Sequence, residues 1–154
     1  MIRRASLKNF KLRETLNEDE QAKLMHMLTR SCKDILHGTA IPSYSEIYYN
    51  CDLLCRYGHS RPLHSAIYNE VSVWSGGQLA QQWRISESTD TLNKISGLWR
   101  EFEEKMRVVL DAFAVLDRVY VKREATGCLG LQQILLSAFK AAVWATEKGR
   151  LWRV

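Results

Sequence analysis

Three side chains with metal-binding or nucleophilic chemistry recur at four-residue intervals: Cys51, Cys55 and His59, with His64 further on. On a helix, a spacing of four places Cys51 and Cys55 on adjacent turns of one face, and thiolate with imidazole is a donor set that suits zinc. Gly58 interrupts this arrangement, because it should end the helix before His59. Paired zinc-binding cysteines also sit more often in turns, and cysteine is commonly a small buried hydrophobe. The expectation is therefore buried free thiols, with no metal and no cofactor. A second chemical feature is Asp117-Arg118, a charged pair inside an otherwise apolar run. Such a pair can be catalytic, but it more commonly caps neighbouring helix ends and fixes packing. Glu101, Glu103 and Glu104 read as a solvated helix face.

Other catalytic signatures are missing. Gly76-Gly77 lacks the Lys-Ser/Thr of a phosphate-binding loop, and there is no Gly-x-Ser-x-Gly or His-Glu-x-x-His. Nothing assembles a nucleophile, a base and an orienting group. The expectation is a binding module, not an enzyme, with no catalytic residues.

The elements that carry these residues read as helices throughout. Only two prolines and eight glycines interrupt 154 residues. Apolar residues make up 46% and charged residues 25%, which fits one soluble domain with a real core. No apolar run reaches the roughly 18 residues that a bilayer span needs, and the basic start Met1-Ile2-Arg3-Arg4 lacks the apolar stretch of a signal peptide. A cytoplasmic or nuclear setting, with no membrane partner, is the expectation. Four cysteines without disulfide-framework spacing agree with a reducing compartment.

Residues 1–16 form a basic arm in which Ile2, Leu7, Phe10 and Leu12 are separated by charges. A first helix is predicted from Asn17, with a capping-box pattern to Glu20 and a stop at Gly38. A second starts at Ser43-Tyr44-Ser45-Glu46, a Ser-x-x-Glu cap. Ile47, Cys51 and Leu54 mark its inner face, while Tyr44, Tyr48, Asp52 and Cys55 trace another. A third begins near Pro62 and carries Leu63, Ile67, Val71 and Trp74, with a break or kink at Gly76-Gly77. A fourth runs from Leu92 to Met106, and a fifth, more apolar and therefore buried, from Val108 to Glu124. After Ala125-Thr126-Gly127, a last helix spans about Leu129 to Glu147, followed by a basic tail. The fold class is all-α, a bundle of about five helices plus a C-terminal helix. Residues 17–124 form the bundle, and 125–154 form the last helix with its tail.

Several segments together resemble the N-terminal domain of cullins. Val115-Leu116-Asp117-Arg118-Val119-Tyr120-Val121 is similar to their Leu-Asp-Arg-x-Tyr-Val segment. Ser43 to Tyr48 resembles the Glu-Leu-Tyr signature of their second helix, Leu98-Trp99 and Met106-Arg107 the lead-in to their fifth, and Leu129-Gly130-Leu131 the Gly-Leu opening of the next cullin repeat. The order and spacing hold over about residues 7–143.

Cullins are scaffolds of ubiquitin ligases, in the ubiquitin-like conjugation pathway. Their first repeat grips a substrate adaptor with its second and fifth helices. The resemblance therefore implies a protein adaptor as partner. It implies an adaptor-binding surface of Tyr44, Ser45, Tyr48 and Asp52 on the second helix and Ala114, Val115, Arg118 and Val119 on the fifth. Leu7-Lys8-Asn9-Phe10-Lys11 resembles the arm of the cullin subtype that binds the damaged-DNA-binding β-propeller adaptor, as Asp52-Leu53-Leu54-Cys55 resembles its acidic residue followed by Asn-Leu-Cys. Leu7, Lys8, Asn9 and Phe10 join the implied surface on that basis. The subtype that binds BTB adaptors is the alternative; it usually carries tyrosines where this chain has Asp52 and Val115. The pattern of later repeats and the RING-binding region is lacking, so the expectation is either a fragment or a truncated relative that binds an adaptor without supporting ubiquitin transfer.

A different class of partner follows from the net charge of +5. Arg3, Arg4, Lys8 and Lys11 with Lys148, Arg150 and Arg153 could meet nucleic acid. The last helix, if its apolar face were not covered by its own domain, would drive oligomerisation.

Overall fold

The computed structural model describes residues 16–39, 43–85, 90–124 and 129–151, which are helical and contain no strand. The arm, with Leu7, Lys8, Asn9 and Phe10, lies outside the described residues.

Helix α1 (Glu18–His37) starts where the Asn17 side chain accepts the Asp19 N–H at 3.0 Å, with Glu18, Asp19 and Glu20 at the positive end of the helix dipole. It stops at Gly38, whose φ of 67° only glycine adopts without strain, and whose N–H reaches back to Ile35. Helix α2 (Tyr44–Arg56) begins after Ser43, but the predicted cap does not close. The Ser43 side chain accepts no backbone N–H of the helix and instead hydrogen-bonds the Ser45 hydroxyl at 3.5 Å. Gly58, at φ 81°, turns the chain into α3 (Ser60–Trp74). Pro62 sits in the first turn, where the missing N–H is harmless.

Gly76-Gly77 lie within a continuous helical stretch. Residues Ser75–Leu79 form a wide i→i+5 turn, after which α4 (Ala80–Ile85) continues. Both glycines face solvent. The wide turn explains why Trp74 and Leu79, five residues apart, are buried together, with Trp83 one turn beyond.

Helix α5 (Thr91–Ala112) is capped by the Asp90 carboxylate, which accepts the Leu92 N–H at 3.0 Å. It is a single element that absorbs the predicted start of the fifth helix. The boundary falls at Phe113, not at Val108, and a short α6 (Ala114–Leu116) opens into wide turns over Asp117–Glu124. Helix α7 (Leu131–Leu151) begins two residues later than expected.

The core lies where α3, α5 and α7 meet. Phe102 stacks near-parallel to Trp74 at 6.0 Å and meets Phe139 at 4.7 Å, and Trp99 meets Phe139 edge-on at 5.2 Å. Leu131, Ile134, Leu135, Phe139 and Ala142 of α7 are buried in this core. These residues of the last helix are thus covered by its own chain, while Trp144 is left 61% exposed. α1 packs on α3, and α2 on α1 and α6, which brings two distant segments to one surface.

Candidate functional site

That surface is built from α2 and the chain that follows Phe113. Ile47, Cys51, Leu54 and Cys55 turn inward. The opposite face of α2 therefore points out, leaving Tyr44 45% and Tyr48 44% exposed, with Ser45 also exposed. Arg118, 70 residues on, donates from Nη2 to the Tyr48 hydroxyl at 2.7 Å. This bond places a guanidinium against an aromatic side chain on an open face. Tyr49, which the sequence reading passed over, is the most exposed of the three neighbouring tyrosines. The adjacency Tyr48-Tyr49 was a visible signal, since two successive helical residues differ by only about 100° around the axis.

Asp52 sits half-buried beside these tyrosines, and its carboxylate pairs with Arg56 at 2.8 Å along the helix. On the second segment, Ala114 and Arg118 are exposed, four residues apart. Val115 is a correction. It is 0% exposed and belongs to the core, so its side chain has no access to a partner. Val119 is half-buried and packs against the same core. The face is therefore Tyr44, Ser45, Tyr48, Asp52, Ala114 and Arg118, with Tyr49 beside it.

The thiols beneath this face are structural. Hydrogen bonding to the Cys55 thiol and then burial push the Cys51 thiol up, so it stays protonated, and it also contacts the Leu116 backbone. Cys32, buried between α1 and α3, is pushed up to about 12 by desolvation and by the nearby Glu70 carboxylate. A buried neutral thiol is a poor nucleophile and a poor metal ligand. His59 lies past the end of α2, and the His64 ring is engaged elsewhere, with Nε2 3.0 Å from the Leu129 carbonyl and its plane tilted against Tyr120 at 5.2 Å. Among the described residues no group of three or more His, Cys, Asp or Glu side chains could hold a metal.

The Asp117-Arg118 pair performs two separate tasks. Asp117 Oδ1 accepts the Leu131 N–H at 2.9 Å and so caps α7 from across the loop. Gly130, at the helix entry, has no side chain to do this. Arg118 faces the other way, to Tyr48. Of the cationic residues that could meet nucleic acid, Arg3, Arg4, Lys8, Lys11 and Arg153 lie outside the described residues, as do the side chains of Lys148 and Arg150. No described helix is long and apolar enough to cross a membrane.

No curated protein sequence matches the chain. The model of the cullin alpha-solenoid domain matches residues 25–153, the span that holds the α2 face, the Asp117-Arg118 pair and α7. With an all-helical bundle and this match over most of its length, the chain belongs to the cullin family, whose domains act as scaffolds with protein partners.

Proposed function

We propose that this chain is an adaptor-binding scaffold domain of a cullin-type ubiquitin ligase, and that the adaptor docks on the face formed by α2 and the Ala114–Arg118 segment. The observation that carries the reading is the 2.7 Å bond between Arg118 and Tyr48, which joins the two segments that the cullin resemblance pairs. Exposed tyrosines with an arginine beside them are the residue types that dominate binding energy at interfaces, because they bury large area at little entropic cost. Tyr44 and Tyr48 are open, and the ring of Tyr48 is held in place before any partner arrives.

A β-propeller adaptor is the favoured partner. Asp52 and Val115 stand where BTB-binding cullins usually carry tyrosines, and the Leu7–Lys11 arm resembles that of the propeller-binding subtype. A cytoplasmic or nuclear setting goes with this role. The test is a titration of the full chain with both adaptor classes. Replacing Tyr44 or Tyr48 with Ala should weaken the complex by about 2 kcal/mol, roughly thirtyfold, with unchanged helicity. Retention of the BTB adaptor alone would reverse the subtype. Binding of neither class, or full affinity in both tyrosine variants, would refute the assignment of this face.

A further inference from the structure

The bond that joins the two segments of the α2 face leaves hydrogen-bond donors unused. Arg118 donates from Nη2, so the Tyr48 oxygen is the acceptor at 2.7 Å. The phenolic hydrogen of Tyr48 then finds no acceptor among the described residues, and neither do the other N–H groups of the guanidinium. Both side chains are exposed, so these donors are open to a partner. The carboxylates next to them along the chain are engaged elsewhere. Asp52, one turn past Tyr48, pairs with Arg56 at 2.8 Å, and Asp117 accepts the Leu131 N–H. Glu46 leaves α2 about 200° round the axis from Tyr48.

A phenolic O–H and a guanidinium N–H held side by side match the two oxygens of a carboxylate. Each donor takes one oxygen, and the ionised acceptor makes both bonds stronger than neutral ones. The contact with Tyr48 already restricts the long Arg118 side chain, so less freedom is lost when an acceptor arrives. Docking also makes such an acceptor necessary, because a guanidinium covered by a partner that offers none is a desolvated, unpaired charge. The exposed rings of Tyr44 and Tyr49 flank Tyr48 along α2, and a partner seated on them excludes water and strengthens the bonds within. The charge count favours a carboxylate over a phosphate dianion. Arg56 is neutralised by Asp52, and Lys122, the next exposed cation after Arg118, stands four residues further on.

We propose that the Tyr48 hydroxyl and the Arg118 guanidinium form a two-donor site for a carboxylate, an Asp or Glu side chain of the protein that docks on the α2 face. The proposal rests on the docking reading and adds the chemistry that the partner must bring. The test uses the full chain with the β-propeller and BTB adaptors. Tyr48→Phe keeps the ring and loses only the hydroxyl; it should weaken the complex about tenfold, as should Arg118→Gln. Arg118→Lys keeps the charge without the fork and should fall between Arg118→Gln and the native chain. Association should slow as salt rises, and Arg118→Gln should flatten that dependence. Asp→Asn and Glu→Gln changes across the adaptor's contact surface then locate the carboxylate. One of them should reproduce the loss, and combining it with Arg118→Gln should cost little more than either alone. Helicity and urea midpoints of the variants separate a lost contact from a damaged fold. Full affinity in Tyr48→Phe and Arg118→Gln, or a loss that no neutralised adaptor carboxylate reproduces, would overturn the carboxylate site while leaving the docking face intact. Binding of neither adaptor would remove the docking reading and this site with it.

Discussion

Asp117 offers the sharpest test of how this domain is held together. Its carboxylate caps α7 from 14 residues away, at 2.9 Å from the Leu131 N–H. Replacing it with Ala removes a helix cap, typically about 0.5–2 kcal/mol. It also removes a negative charge at the positive end of the helix, about 0.3–1 kcal/mol. The site is part-buried, so water can reach the freed N–H and replace some of the loss. The expected net cost is about 1–2 kcal/mol. For a chain of 154 residues, that lowers the melting temperature by roughly 2–8 °C. Asp117→Asn keeps an acceptor and loses only the charge, so it should fall between wild type and Asp117→Ala. Urea unfolding measures the stability, and hydrogen exchange isolates the cause, since protection of the Leu131 amide should drop in the alanine variant before global unfolding does. An alanine variant within about 0.3 kcal/mol of wild type, or one with full protection at Leu131, would refute the cap.

Two glycines near helix ends should behave in opposite ways. Gly38→Ala forces a side chain into a left-handed conformation at φ 67° and should cost about 1–2 kcal/mol in urea unfolding. At Gly130 an added Cβ would lie 3.7 Å from Asp117 Oδ1, an ordinary contact, so Gly130→Ala should stay within about 0.5 kcal/mol of wild type. Alkaline stability should report the buried thiol of Cys32. Folded Cys32 keeps its proton up to about 12, whereas its ordinary value is 9.0. Between those values the unfolded chain binds fewer protons than the folded one, so stability falls as pH rises, by up to about 1.4 kcal/mol per pH unit. Cys51 adds to the loss with the same sign. Cys32→Ala should flatten the decline in urea titrations between pH 9 and 11, and an unchanged slope would count against the burial of that thiol as its cause.

Which parts of this molecule were legible beforehand follows from which interactions are local. Asn17 and Gly38 act within a few residues of themselves, and they bound α1 where their chemistry says they should. The cap on α7 comes from Asp117, and no local pattern near Leu131 announces it. Phe113 shows the same limit in the core. It is as apolar as its neighbours and fully buried, so the hydrophobic pattern runs through the break without a mark. That break governs the candidate site. Taken residue by residue from a relative, Ala114, Val115, Arg118 and Val119 looked like one outward patch. In the structure Ala114 and Arg118 share the outer side, while Val115 and Val119 share the inner one. A carried-over motif therefore transmits which segments share a surface more faithfully than which of their side chains point outward. The phase of a helix is set by where its backbone restarts, and here it restarts at Phe113. The same phase that buries Val115 brings Arg118 to Tyr48, so the loss of one expected contact residue and the pre-positioned guanidinium of another have a single cause.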